Sequence, residues 1–375
     1  MMLKIDRRLV KNFDWITFGL IITIALIGIA TIFSATRLPV EGMEGSQPAF
    51  YLKQILWLFI SILALFAVVM IDYVWFYRLA YIFYAIGLVL LIAVLMAGKS
   101  SLGAQRWINL GFVAFQPSEF FRLAFIMAFS SYLVNKNLYE RIPISCVFIF
   151  GIIPLFLIVL QPDLGTAIML MSLFVILSIM RGLSRKIITL AVIVSLISIP
   201  FLGHIFWESM KDYQKNRLVA FVDPEIDPSG IGYHINQSKI AIGSGSFIGK
   251  GYLKGTQGPL RFLPEKHTDF IFSVFSEEWG FLGSMTLFTL YIMVFLRGLD
   301  TAKKAKDEFS KLAATGIVSM FFIYFLVNTG MALGIMPVVG VPLPFMSYGG
   351  TALLSNFIAA GLLINIRTRR FELFY

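Results

Sequence analysis

Apolar residues run through this chain in long blocks, separated by short polar or basic connections rather than alternating with polar positions at helical or strand spacing. A helix needs about 20 apolar residues to cross a bilayer. Runs of that kind lie near residues 13–35, 50–70, 75–97, 119–134, 142–160, 164–181, 186–206, 270–296, 311–334 and 347–366. The pattern predicts an all-α integral membrane protein of about ten transmembrane helices, with a large extracytoplasmic loop, residues 207–268, between helices 7 and 8. Aromatic and β-branched residues among the loop's glycines predict short helices on or in the membrane surface rather than a disordered linker.

The basic residues between blocks set the orientation. Lys136, Arg141, Arg181, Arg185, Lys186, Arg297, Lys303, Lys304, Lys306, Arg367, Arg369 and Arg370 fall on the side of the N-terminus, which also carries Lys4, Arg7, Arg8 and Lys11. Positive loops face the cytoplasm, so both termini are expected there, in the inner (cytoplasmic) membrane. The opposite side carries the connections Gln161-Pro162-Asp163-Leu164-Gly165 and Pro337 to Pro344, which hold no basic residue. The first apolar run is longer than the roughly 7–15 residues of a signal-peptide core and reads as a retained helix.

Composition agrees: 58% of residues are hydrophobic and only 14% charged, against roughly 25% charged in soluble domains. With apolar runs from end to end, residues 1–375 form one membrane domain, loop 207–268 included. The net charge of +10 sits in clusters between the runs, which argues for topology and against a nucleic-acid partner. The single cysteine, Cys146, reads as packing, and it allows neither an internal disulfide nor a cysteine zinc site. His204, His234 and His267 form no metal pair at helical spacing.

Carboxylates at membrane depth need a reason, because each costs about 2.5–3.5 kcal/mol even on a lenient insertion scale. Asp269 opens the eighth helix from its outer end; it reads either as a first-turn carboxylate beside a Thr268 cap or as a functional acid. Glu119 and Arg122 share a face of the fourth helix. They either neutralise each other or line an outward-facing polar cavity. Arg106 and Trp107 read as an interfacial anchor or as part of that cavity. Glu277 and Glu278, two turns inside the eighth helix, read as buried hydrogen-bonding groups or as a proton or substrate path. The run Gly243 to Gly251 fails the spacing of a nucleotide loop and reads as flexible backbone.

Two motifs in the long loop are distinctive: Gly232-Tyr233-His234-Ile235-Asn236-Gln237-Ser238-Lys239-Ile240-Ala241-Ile242-Gly243-Ser244-Gly245, and Leu263-Pro264-Glu265-Lys266-His267-Thr268-Asp269-Phe270. With Arg106-Trp107-Ile108, Gln116-Pro117-Ser118-Glu119, Gln161-Pro162-Asp163 and Pro344-Phe345-Met346-Ser347-Tyr348-Gly349-Gly350, the chain resembles the SEDS family of cell-wall polymerases over nearly its whole length. It resembles the family's elongation branch more than its division branch. The resemblance implies a peptidoglycan glycosyltransferase that polymerises lipid II on the outer face of the membrane during cell elongation and rod-shape maintenance. Asp269 matches the family's essential acid and Glu119 the acid of its Gln-Pro-Ser-Glu motif, while Arg122 stands where many relatives have Lys.

On that resemblance Asp269 is the expected general base. Arg106, Trp107, Glu119, Arg122, Lys239 and His267 are the expected substrate and pyrophosphate contacts, with Glu119 also the candidate ligand of a divalent cation, Mg²⁺ or Mn²⁺. The implied partners are lipid II, membrane lipids, a class B penicillin-binding protein supplying the transpeptidase, and other elongation-complex proteins. Two other readings also suit the residues: a flippase for the same lipid, and a scaffold for a partner polymerase. Transporter sites lie near the midplane. Asp269, Glu119 and Arg106 instead gather near the outer boundary, which favours chemistry on one side.

Overall fold

Three helices begin with the same device, an aspartate followed three residues later by a hydroxyl side chain. Asp14 accepts from the amide and hydroxyl of Thr17, Asp163 from those of Thr166, and Asp307 from those of Ser310. Each satisfies a backbone donor that the first helical turn leaves open, and Asp72 caps Val74 in the same way. This computed structural model describes residues 11–37, 49–101, 104–109, 114–135, 144–161, 163–182, 215, 217, 219–221, 223, 230–258, 263 and 265–370.

In order, the elements are α1 (Trp15–Thr36), α2 (Phe50–Met70), α3 (Tyr73–Ala97), β1 (Lys99–Ser101), β2 (Ala104–Asn109), β3 (Ala114–Phe115), α4 (Pro117–Asn135), α5 (Ile153–Leu160), α6 (Leu164–Met180), α7 (Ile231–Ser244), α8 (Ile271–Lys303), α9 (Glu308–Ala332) and α10 (Gly350–Thr368). A helical turn and a π-helical stretch, Val147–Ile152, lead into α5. The mostly helical architecture expected from the apolar runs is present. Among the described residues six helices, α1, α2, α3, α8, α9 and α10, are long and apolar enough to cross a membrane. The other expected spans are shorter, or carry the Glu119–Arg122 pair, or, for 186–206, lie outside the described residues.

The helices α4, α9 and α10 form the centre. Here α2 runs along α10, α3 along α4, and α8 along α9 and α1. Phe125, Phe129, Phe321 and Phe357 are fully buried between them. Polarity is arranged for a lipid surround: Phe59, Leu63, Ile82, Val89, Ile292 and Leu296 point outward, while Ser61, Ser130, Ser355 and Asn365 are buried. Asn365 donates to the carbonyls of Val68 (2.7 Å) and Ile71 (2.5 Å), fastening α10 to the end of α2. At the same end Asp14 takes both Arg297 and Arg367, and Arg367 also meets Asp300 at 2.9 Å. That network joins α1, α8 and α10.

Between α3 and α4 the interfacial segment folds as a small antiparallel sheet, order β1-β2-β3, in which Lys99 faces Trp107 and Ile108 faces Phe115. Strand pairing satisfies backbone groups that a loop at a membrane surface would leave open.

The glycine-rich run after α7 is not slack chain. Helix α8 breaks at Gly280 (φ 64°, ψ −160°), and the run is bonded into the break. Lys250 and Gly251 donate to the carbonyls of Glu277 and Glu278, while Phe281 and Leu282 donate to those of Ser246 and Phe247, all at 2.9–3.1 Å. A methyl on Gly280 would come within 2.3 Å of the Gly249 nitrogen. Gly280→Ala is therefore expected to lower stability by about 1–3 kcal/mol from backbone strain alone, read as a fall in thermal midpoint in detergent. Gly19→Ala on α1, where a methyl meets nothing within 4 Å, is the matched control and should be near neutral.

Candidate active site

At the end of the bundle away from the Asp14–Arg297–Arg367 network, these elements converge on a polar cleft of about 440 Å³. Strand β2 supplies Arg106 and Trp107, the start of α4 supplies Glu119, the start of α6 supplies Asp163 and Thr166, and α9 supplies Tyr324. Arg217, the turn Glu265 to Asp269 and the segments around Gly340 and Tyr348 complete the wall.

That turn is held from below and from the side. Asn328 donates to the Asp269 carbonyl at 2.9 Å and to that of Val341 at 2.7 Å. Ser347 donates its hydroxyl to the Thr268 carbonyl (2.7 Å), and the Tyr348 amide donates to the His267 carbonyl (2.9 Å). Gln54 of α2 in turn holds the Ser347 carbonyl at 3.0 Å. With its backbone fixed, Asp269 has little choice of direction. Its Oδ2 and the Arg217 guanidinium both approach Gly340, 3.4 and 3.9 Å from where a methyl there would sit. Gly340 has a φ of 70°, a conformation and a clearance that suit glycine.

Burial pushes the Asp269 carboxyl up to about 6, with Glu265 adding to the rise and Arg217 and Arg106 opposing it. A carboxylate there holds a proton more tightly than usual yet is mostly ionised at neutral pH, the condition for a base. His267 is pushed below its ordinary value, again by burial first, against the pull of Glu265. Its ring packs on Phe50 and Tyr348, with centroids 4.5 and 5.3 Å away.

Across the cleft, Arg106 Nε lies 3.3 Å from Asp163. Glu119 is ion-paired with Arg122, and the Arg122 guanidinium also lies 4.2 Å over the Tyr324 ring. Of the residues singled out in the sequence, Arg106, Trp107, Glu119, His267 and Asp269 line the cleft together. Arg122 is fully buried one turn behind the wall, where it holds Glu119 rather than facing the opening. Lys239 is elsewhere, exposed on α7 with its ammonium beside Gly334 after α9.

The sequence pattern of the FtsW/RodA/SpoVE family, described as cell cycle proteins, matches residues 14–372. The chain belongs to this family. The peptidoglycan glycosyltransferase MrdB of Escherichia coli K12 is 46% identical over 293 residues, covering 76% of this chain and 77% of that one. The peptidoglycan glycosyltransferase RodA of Treponema pallidum is 33% identical, covering 96% and 99%. Among solved structures, a chain of a peptidoglycan synthase complex that coordinates polymerisation and crosslinking superposes with TM-score 0.80 at 27% identity, covering 96% of this chain and 99% of that one. The rod shape-determining protein RodA of Thermus thermophilus superposes with TM-score 0.68 at 26% identity, covering 96% of this chain and 98% of that one.

In this FtsW/RodA/SpoVE chain the cleft also contains residues that sequence reasoning did not assign to it: Asp163, Arg217, Glu265, Tyr324 and Tyr348. A signal existed for Asp163. Gln-Pro followed by an acid occurs at Gln116 and again at Gln161, and both acids stand at helix starts on the same cleft. Arg217 carried no such mark, since nothing in its neighbours separates it from the other basic residues of the loop.

Proposed function

We propose that this chain polymerises lipid II into glycan strands at the outer face of the cytoplasmic membrane during elongation and rod-shape maintenance; its relatives are named peptidoglycan glycosyltransferases and a structural neighbour a rod shape-determining protein. The observation that carries the reading is a half-buried carboxyl of raised proton affinity, Asp269, set beside Arg217 and in the field of Arg106 within one cleft. The acceptor disaccharide's 4-hydroxyl attacks the anomeric carbon of the growing strand with inversion. The new C–O bond replaces the bond to undecaprenyl pyrophosphate, and the hydroxyl proton passes to Asp269. Arg106 and Arg217 offset the charge gathering on the leaving pyrophosphate.

Basic clusters at the far ends of α8 and α10 support a reading with that end and both termini in the cytoplasm and the cleft on the outside. Among the described residues no three Asp, Glu, His or Cys side chains converge as a metal cage. Magnesium-like ions need only one or two carboxylates plus substrate phosphates, a set that Glu119 and Asp163 fit. An ion held there with the pyrophosphate would supply Lewis-acid stabilisation of the leaving group. The implied partner is a class B penicillin-binding protein, with lipid II as the substrate on which both depend.

The test is glycan formation from purified lipid II with Mg²⁺ or Mn²⁺, with and without the penicillin-binding partner. Long glycans from the wild type support the reading. A folded, partner-bound protein that makes no glycan but moves labelled lipid II across vesicles would overturn it in favour of a flippase.

A further inference from the structure

Eight residues beyond Asp269, Glu277 is completely buried in α8, and its carboxylate accepts four close hydrogen bonds. Oε1 accepts from Lys250 Nζ (2.6 Å), from the Thr256 amide (2.9 Å) and from the Thr256 hydroxyl (2.7 Å), and Oε2 accepts from the Gln257 amide (3.1 Å). A methyl on Gly255 would lie 3.2 Å from Oε2, so the segment rests directly on the carboxylate. From there the bonding leads back to the cleft. The Gln257 carbonyl accepts from the Leu263 amide at 3.3 Å, and the Gly258 carbonyl accepts from Lys266, two residues before Thr268.

The loop that ends on Asp269 is thus anchored at both ends. The cleft end is held by Asn328, Ser347 and the Tyr348 amide; the other end is held at residues 250 and 251 by main-chain bonds to the Glu277 and Glu278 carbonyls and at residues 256 and 257 by the Glu277 carboxylate.

We propose that Glu277 is a positioning residue for the glycosyl transfer: by gripping residues 250–257 from within α8 it sets where the loop places Asp269 against Arg217. The inference rests on the assignment of Asp269 as base. It gives a function to a carboxylate fully buried in a helix apolar enough to cross a membrane, where such groups are costly. Lys250, the Thr256 amide and hydroxyl and the Gln257 amide all donate to it, while the Glu278 carboxylate stands on the other side of Gly255.

The experiment compares Glu277→Gln, Lys250→Met and the α8 surface control Thr286→Val in the full chain with its partner, measuring kcat, KM and the pH profile of polymerisation. Glutamine turns one acceptor into a donor facing donors. A misplacement of about 1 Å is worth about 10²-fold in rate, so kcat is expected to fall between about 10- and 100-fold with KM little changed. The groups around Asp269 are Glu265 and His267 on its own turn, Arg217, Arg106 on β2 and Tyr348 before α10. With the loop loosened and water admitted, the acid limb of the profile should move from about 6 toward the ordinary carboxylate range. A smaller folded fraction scales the profile without moving it, which separates positioning from mere stability. Lys250→Met, which leaves the Thr256 and Gln257 bonds, should keep the limb in place. Glu277→Gln with an unmoved limb, whether kcat is normal or reduced, overturns the proposal. Asp269→Asn run alongside isolates the base assignment: if it polymerises normally, that assignment falls and the inference with it.

Discussion

Asp269→Asn is expected to lower glycan polymerisation by about 10²–10⁴-fold, the usual contribution of a positioned acid or base, while making the protein more stable at neutral pH. The two effects have one cause. The carboxyl is raised from 3.8 to about 6 in the folded protein, so the folded state binds the proton more tightly than the unfolded chain. Its contribution favours folding fully below pH 3.8 and is lost as pH rises through about 6. At pH 7 the ionised side chain is a burden, since every tenfold difference in proton affinity between folded and unfolded chain is worth about 1.4 kcal/mol. Asparagine removes that burden and retains the shape. A higher thermal midpoint at pH 7, shrinking toward pH 4, together with lost polymerisation, is the expected pair of results. A variant that is both inactive and less stable at pH 7 would mean that the carboxylate is structural.

Arg122→Leu carries the largest expected loss of stability. Arg122 is 0% and Glu119 3% exposed, and the guanidinium is sandwiched between that carboxylate and the Tyr324 ring. Removing one partner of a buried pair typically costs about 3–5 kcal/mol, because the other charge is left unpaired. The variant should accumulate poorly and unfold at markedly lower temperature in detergent. Adding Glu119→Gln should recover part of the loss, since it removes the orphaned charge, though not the activity if Glu119 serves the cleft. Arg122→Lys keeps the charge but not the planar stacking on Tyr324, so a smaller loss is expected. A thermal midpoint for Arg122→Leu equal to wild type would refute this account.

Helix placement was legible because a bilayer demands length. The blocks at 50–70 and 164–181 correspond to Phe50–Met70 and Leu164–Met180 almost residue for residue. Asp269 and Glu119 were legible for the complementary reason, since a carboxylate in an apolar surround announces itself. What was not legible is direction. Glu119 and Arg122, three apart, do share a face and pair with each other, but the spacing could not show that the arginine, a turn deeper, is enclosed by α9, a helix about 200 residues later in the chain. Lys239 stands in a motif of the recognisable loop, but α7 turns it toward Gly334 and away from the cleft. The glycine-rich run reads as slack in one dimension. Only its pairing with the break at Gly280 shows that small residues are there for close approach.

That break also makes chain length a fixed quantity. Four main-chain bonds peg the segment 246–251 to α8 around Gly280, and the helix then counts back to Asp269 at the cleft. One residue added between Asp269 and Gly280 would turn the carboxylate by about 100° and lift it about 1.5 Å, out of line with Arg217, although no cleft residue had been altered. In this part of the protein, substitutions are negotiable in a way that insertions and deletions are not.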